Sequence, residues 1–165
     1  AVNAVGGITA AATPGRLVLP HQVVDYTWGR DHTFTGDARF PLVHVDFTEP
    51  FSAGLRGRLV VAAAGVGLDL LPAATYGAMQ GPRLESAAEI DRLERDGCDI
   101  VGMTGMPEAG LARELGLDYA MCAVVVNRAA GRVAPGETIH GQIGATVAAG
   151  MAAVRRLVEA LLARA

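Results

Sequence analysis

Three features of the chain predict an α/β fold, a mostly parallel central sheet covered by helices. Its second half repeats strand, helix, strand, helix, strand. Those strands are near-continuous apolar runs, as in sheets buried on both faces, rather than alternating ones. The helices between them carry start and stop signals of their own. The 165 residues suffice for one domain, 1–165, with a sizeable core. Hydrophobic residues make up 51% and charged residues 19%, a globular rather than a disordered composition.

The first segment, AVNAVGGITA, is an apolar run ending in a Gly-rich turn with no leading segment. It reads as the tail of a strand whose earlier partners are missing, so the domain is expected to be N-terminally incomplete. RLVLP (16–20) and LVHVDF (42–47) are predicted strands. The polar, aromatic stretch between them, DYTWGRDHTFTGDARF, is a long excursion of the kind that more often carries function. SAGLRGRLVVAAAGVG has Leu55, Leu59 and Ala62 or Ala63 at helical spacing. AATYGAM is the next strand, ending at Gln80-Gly81-Pro82. Ser86 and Glu89 form a capping-box pattern, Ile90 and Leu93 continue the apolar face, and Gly97 stops that helix. CDIVGM follows as a strand. Pro107 suits a first helical turn, with Leu111 and Leu115 as its stripe and Gly116 as its end. YAMCAVVVN is the last strand, closed by Asn127. The remainder from Thr138, a candidate N-cap, is one long or two short helices.

A net charge of −3 without any Lys/Arg block argues against nucleic acid and against an anionic membrane surface. The longest weakly polar stretch, 143–154, is too short to span a bilayer. No signal-peptide pattern appears, and Cys98 and Cys122 lie in apolar runs as buried thiols, so a cytoplasmic location is expected. His21, His32, His44 and His140 lack metal-ligand spacing, and no metal site is expected. Neither a Gly-x-Gly-x-x-Gly turn, a P-loop nor a Gly-x-Ser-x-Gly elbow is present.

In a parallel sheet the strand-to-helix loops emerge on one edge, where ligands bind. That edge would collect Gln80 to Glu85, Met103 to Met106 and Asn127, joined by the turn Asn3 to Gly7. Each residue also has an ordinary reading. Thr104 caps a helix or contacts an anion at the helix N-terminus. Met103 fills core, Glu85 complements a helix dipole, and Asn127 is a turn residue. Chemistry alone supports a ligand with an anion and a flat polar group.

QGPRLESAAEI, DIVGMTGMPEAGLARELGLDYA and VVVNRAAG, with AVNAVGG, PHQVVDYT and HVDFTEPF in the same order, resemble the trimeric purine nucleoside phosphorylase and methylthioadenosine phosphorylase family. The resemblance covers essentially the whole chain. It implies a nucleoside phosphorylase-like fold and a pentosyltransferase with inorganic phosphate as co-substrate and no cofactor. The family's Gly-rich phosphate loop and Arg-His phosphate pair belong to an N-terminal portion not visible here. Asn3 and the Ala4 N–H are implied to lie near phosphate and ribose, Thr104 on phosphate, Met103 under the ribose, and Gln80 to Glu85 around the purine. Leu84 stands where relatives often place a stacking Phe. A homotrimer is implied, with His44 reaching a neighbour's site near the 5′ position.

The resemblance also bears on the substrate. Adenine-specific members place an Asp where this chain has Asn127, whose amide donates to a 6-oxo group and accepts from N7–H. Glu85 matches the carboxylate that accepts N1–H of a 6-oxopurine. Aligning TVAAGMAAV with the C-terminal helix puts Ile143 where purine nucleoside phosphorylases have a 5′-hydroxyl-binding His, and Val147 one turn on. An apolar wall suits a methylthio group. The expected reaction is phosphorolysis of S-methyl-5′-thioinosine to hypoxanthine and 5-methylthioribose 1-phosphate, in purine salvage, with Asn127 and Glu85 as the catalytic pair. Methylthioadenosine phosphorylase, an inosine- or guanosine-cleaving enzyme, and a non-catalytic nucleoside-binding fragment are the alternatives.

Overall fold

The computed structural model describes residues 1–134, 136 and 138–163. In chain order the elements are β1 (Val2–Gly7), β2 (Leu17–Val18), β3 (Gln22–Asp25), α1 (Ala53–Gly65), β4 (Leu70–Leu71) and β5 (Thr75–Ala78). They continue with α2 (Ala87–Arg95), β6 (Ile100–Gly102), α3 (Glu108–Glu114), β7 (Cys122–Arg128) and α4 (Ile139–Leu162). Local chemistry accounts for most of the boundaries. The Ser86 and Glu89 capping box opens α2, with both reciprocal bonds present. Thr138 caps α4 by accepting from the Gly141 N–H. Gly97 and Gly116 take positive φ just past α2 and α3, where a side chain would be strained.

One seven-stranded sheet results, in the order β3-β5-β6-β1-β7-β2-β4. Four of its ladders are parallel and two, β1 with β6 and β2 with β7, are antiparallel. The sheet is therefore mixed, with a central β1–β7 pair running against the strands on either side. The reason lies in the β6-to-β7 connection. The chain leaves β6 at Gly102 and re-enters the sheet at Cys122, beside Val2 of β1, so it returns at the end it left instead of crossing the sheet.

Two predicted features are corrected. The segment 42–47 forms no strand, and Leu42 and Val43 are exposed. Asn3 to Gly7 is not a turn but most of β1, paired throughout with β7 and at Gly6 and Gly7 also with β6. On one face of the sheet, Leu17, Val124 and Val126 pack under α1 and α4, with Leu59, Val154 and Leu157 buried between. Further along that face, Ile90 and Leu93 of α2 cover Val101 and Ile8. The opposite face packs Val5, Tyr76, Ile100 and Val125 against Phe51 and Ala109. A gap in the first face's helix layer, between α2 and the start of α4, leaves part of β1 uncovered.

Candidate active site

The gap is a cleft of about 250 Å³ lying over the sheet face. Ala4 and Gly6 of β1, Val101 of β6 and Val126 of β7 line its base. Leu84 and Glu85 come from the segment after β5, Met103 and Thr104 from the one after β6, and Asn127 from the end of β7. Ile139 and Ile143 of α4 close one side. Seven of the expected residues thus meet here: Ala4, Leu84, Glu85, Met103, Thr104, Asn127 and Ile143. The expected route to this meeting is corrected, however. Because β7 runs opposite to β6, Asn127 does not share a carboxyl edge with Met103, and the groups converge across the sheet face instead.

A β-bulge brings Asn127 in. Along β1 and β7, Val5 pairs with Val125 but Gly6 pairs with Asn127, so Val126 is an extra residue. Strict alternation would send Val126 and Asn127 to opposite faces. With the bulge, both line the cleft. Helix α4 satisfies the groups the bulge frees. Thr146 Oγ1 donates to the Val126 carbonyl at 2.5 Å, and the Arg128 N–H donates to Gln142 Oε1 at 2.7 Å. The Asn127 side chain is 8% exposed, and its Nδ2 donates to the Arg128 carbonyl at 2.8 Å. That bond holds the amide while leaving its second N–H and its oxygen for a ligand. A Cβ at Gly6 would stand 3.2 Å from Val101 and 3.5 Å from Asn127 Nδ2, so glycine keeps this end open.

Glu85, half-buried, lines the same cleft as Asn127. Desolvation, with Glu89 adding, holds its carboxyl above the ordinary value of 4.5 against the pull of its own backbone N–H and of Arg83. Glu89 itself is bound by Arg83 and the Ser86 N–H, which lower it to about 2.

At the other end Thr104 is not a helix cap. Helix α3 begins at Glu108 after Pro107, with no side-chain cap bond, and the Thr104 N–H goes to Tyr76 Oη at 3.0 Å. The Thr104 hydroxyl accepts from Asn3 Nδ2. Asn3 is 9% exposed, and its Oδ1 is buried without a partner among the described residues. Register separates the two ends: Asn3 and Gly6 are three residues apart on β1, about 10 Å.

Three expected residues lie elsewhere. Gln80 accepts from the Trp28 N–H at 3.2 Å and lines a second, polar cleft with Tyr26 and Arg83, which Glu85 also borders. Val147 lines an adjoining apolar cavity with Met151 and Asn3. His44 is exposed in the 26–52 segment, which has neither helix nor strand. Two residues escaped the sequence reading. Arg30 donates to the carbonyls of Met79, Gln80, Met103 and Met106, tying the segments after β5 and β6 together. Tyr76 is fully buried beneath Thr104. Nothing in the spacing marks either one; only the polar excursion around Arg30 gave a signal.

The phosphorylase superfamily matches residues 1–163. A probable S-methyl-5′-thioinosine phosphorylase from Pseudomonas syringae pv. tomato is 59% identical over 132 residues, 80% of this chain and 54% of that protein. A probable 6-oxopurine nucleoside phosphorylase from Thermococcus kodakarensis is 42% identical over 146 residues, 86% of this chain and 54% of that protein. Among solved structures, methylthioadenosine phosphorylase from Schistosoma mansoni in complex with adenine superposes with a TM-score of 0.90 at 26% identity, covering 98% of this chain and 63% of that one. The chain spans between about half and two thirds of the length of the curated relatives it matches.

Proposed function

Since this chain belongs to the phosphorylase superfamily, we propose that the whole protein cleaves S-methyl-5′-thioinosine with inorganic phosphate, releasing hypoxanthine and 5-methylthioribose 1-phosphate. One observation carries the base assignment. The bulge turns an amide, not a carboxylate, into the cleft beside a half-buried Glu85. Asn127 donates to O6 and accepts from N7–H of the leaving purine, and Glu85 accepts N1–H. A 6-aminopurine would set its amino group against the amide's donor and leave Glu85 without a hydrogen, so selectivity can be large. The relatives named for thioinosine and for 6-oxopurine nucleosides support this reading. Ile139 and Ile143 supply an apolar wall, which suits a methylthio group and supports thioinosine over inosine.

In the reaction a phosphate oxygen attacks C1′ as the C1′–N9 bond breaks, through a transition state with oxocarbenium character, and the purine, leaving with the bonding pair, takes a proton at N7 from solvent. No covalent enzyme intermediate and no cofactor is required. Thr104, Asn3 and the Ala4 N–H hold the phosphate end, and Met103 packs under the ribose. Asn127 stabilises negative charge appearing on the base, where it is worth most because the amide is already oriented. Leu84 covers the purine without an aromatic face. Gln80, tied to Trp28, frames the base indirectly, and Val147 backs the 5′ wall one helical turn beyond Ile143. The active form is a cytoplasmic homotrimer in purine salvage, with His44 acting in a neighbour's site.

The test is a phosphorolysis panel of the full-length protein on methylthioinosine, methylthioadenosine and inosine, each with and without phosphate. A clear preference for methylthioinosine is expected. Preference for methylthioadenosine would overturn the Asn127–Glu85 reading, and preference for inosine the 5′ wall alone. Binding without turnover would favour a nucleoside-binding module.

A further inference from the structure

We propose that Tyr76 is a positioning residue that fixes the Thr104 hydroxyl as a hydrogen-bond donor aimed into the cleft, toward the oxyanion co-substrate. The role rests on the reading above and adds a residue to it. Tyr76 sits on the sheet face opposite the cleft, fully buried, and its hydroxyl reaches the backbone at Thr104.

Hydrogen-bond bookkeeping around Thr104 gives the direction. A hydroxyl has one donor hydrogen and two acceptor positions. Asn3 Nδ2 fills one acceptor position of Thr104 Oγ1. Tyr76 Oη lies 3.4 Å from the same oxygen, a pair in which either hydroxyl can donate, and it accepts the Thr104 N–H at 3.0 Å. The phenol is assigned as the donor because, among the described residues, Oγ1 is the acceptor within its reach. Burial raises the phenol further above its ordinary range, which keeps that hydrogen in place at working pH. With both acceptor positions engaged, the one hydrogen of Thr104 is left for the cleft. Such a group suits an acceptor-rich anion. Tyr76 also takes the Thr104 N–H away from the ligand, so the hydroxyl rather than the backbone is the donor.

The neighbouring glycines make the seat possible. A Cβ at Gly102 would stand 2.6 Å from Tyr76 Oη, and one at Gly105 would overlap the end of the Met121 side chain. Gly105 also has φ +83°, a conformation costly for other residues. The Gly-Met-Thr-Gly run thus wraps the chain around a buried phenol with Thr104 at its tip.

Kinetics of the full-length enzyme, with phosphate and nucleoside varied separately, test the role. Tyr76→Phe removes one oxygen and keeps the ring. It should raise KM for phosphate about tenfold and leave KM for the nucleoside within about twofold. In a Thr104→Val background it should add nothing, because its effect passes through the hydroxyl. An unchanged phosphate KM, or full additivity with Thr104→Val, would overturn the proposal. Hydrogen exchange of the wild-type Thr104 amide asks the same question without a variant. Slow exchange in phosphate-free buffer is expected, and rapid exchange would show that Tyr76 does not hold it. A wild-type enzyme lacking phosphate-dependent turnover would instead overturn the reaction itself, and this role with it.

Discussion

Asn127 presents a donor and an acceptor on one planar group, with its orientation set by the bond from Nδ2 to the Arg128 carbonyl. Asn127→Asp keeps the shape and removes the donor. On a 6-oxopurine nucleoside it should lower kcat/KM at least about tenfold, from a lost bond worth roughly 1.5–3 kcal/mol and repulsion at O6. Activity on the 6-amino analogue should rise relative to it, and an unaltered base preference would refute the assignment. Glu85 makes a second prediction through pH. Its raised pKa lets the protonated form persist above 4.5. The group loses its acceptor role as pH falls through the shifted value, so the acid limb of kcat/KM should lie above 4.5. Glu85→Gln should abolish that limb; a limb that stays put belongs to another group. The same shift makes ionised Glu85 a cost to folding at neutral pH that is relieved on acidification. That Asn127 and Glu85 line one cleft was legible in the sequence through the family resemblance. Tyr76 and Arg30 were not, since each acts through backbone groups brought together only by folding.

At the scale of the element, the bulge in β7 sets the side to which Asn127 points. Its freed Val126 carbonyl is held by Thr146 Oγ1, whose single hydrogen is shared with the Gln142 carbonyl one turn back at 2.8 Å. Thr146→Val keeps the volume and deletes both bonds. The expected outcome is a loss of about 1 kcal/mol in stability and a weakened preference for 6-oxopurines, with Thr146→Ser restoring the preference. A stability loss with selectivity intact would mean that the bulge persists without its helix partner. Bulges leave no mark in an apolar run such as CAVVVNR, so the sequence places Asn127 at a strand end but not on a face. The helices were easier to read, since Ser86, Glu89, Gly97, Gly116 and Thr138 act locally. Strand direction is non-local: periodicity does not reveal that α3 returns the chain at the same end. The run 42–47 fails for a related reason, because strand-forming side chains such as Leu42 and Val43 bury nothing against the sheet.

Across the whole molecule, the 26–52 segment shows what one subunit leaves uncovered. It carries Trp28 at 71% exposure and Leu42 at 67%, and His44 lies beside Leu42 and Val43, outside its own chain's cleft. Apolar groups gathered on an irregular segment mark a surface that another chain can cover. If His44 serves a site in the proposed trimer, that site is a neighbour's. Light scattering of the full-length protein should then give three times the subunit mass, and His44→Ala should lower turnover while leaving that mass unchanged. Mixed assembly separates a shared site from an ordinary one. His44→Ala subunits and Asn127→Ala subunits, each weakly active alone, should regain activity when refolded together. In a mixed trimer some sites pair an intact Asn127 with an intact His44 from the adjacent chain. No recovery from mixed trimers would confine His44 to its own subunit or remove it from catalysis, since one-chain sites cannot complement each other.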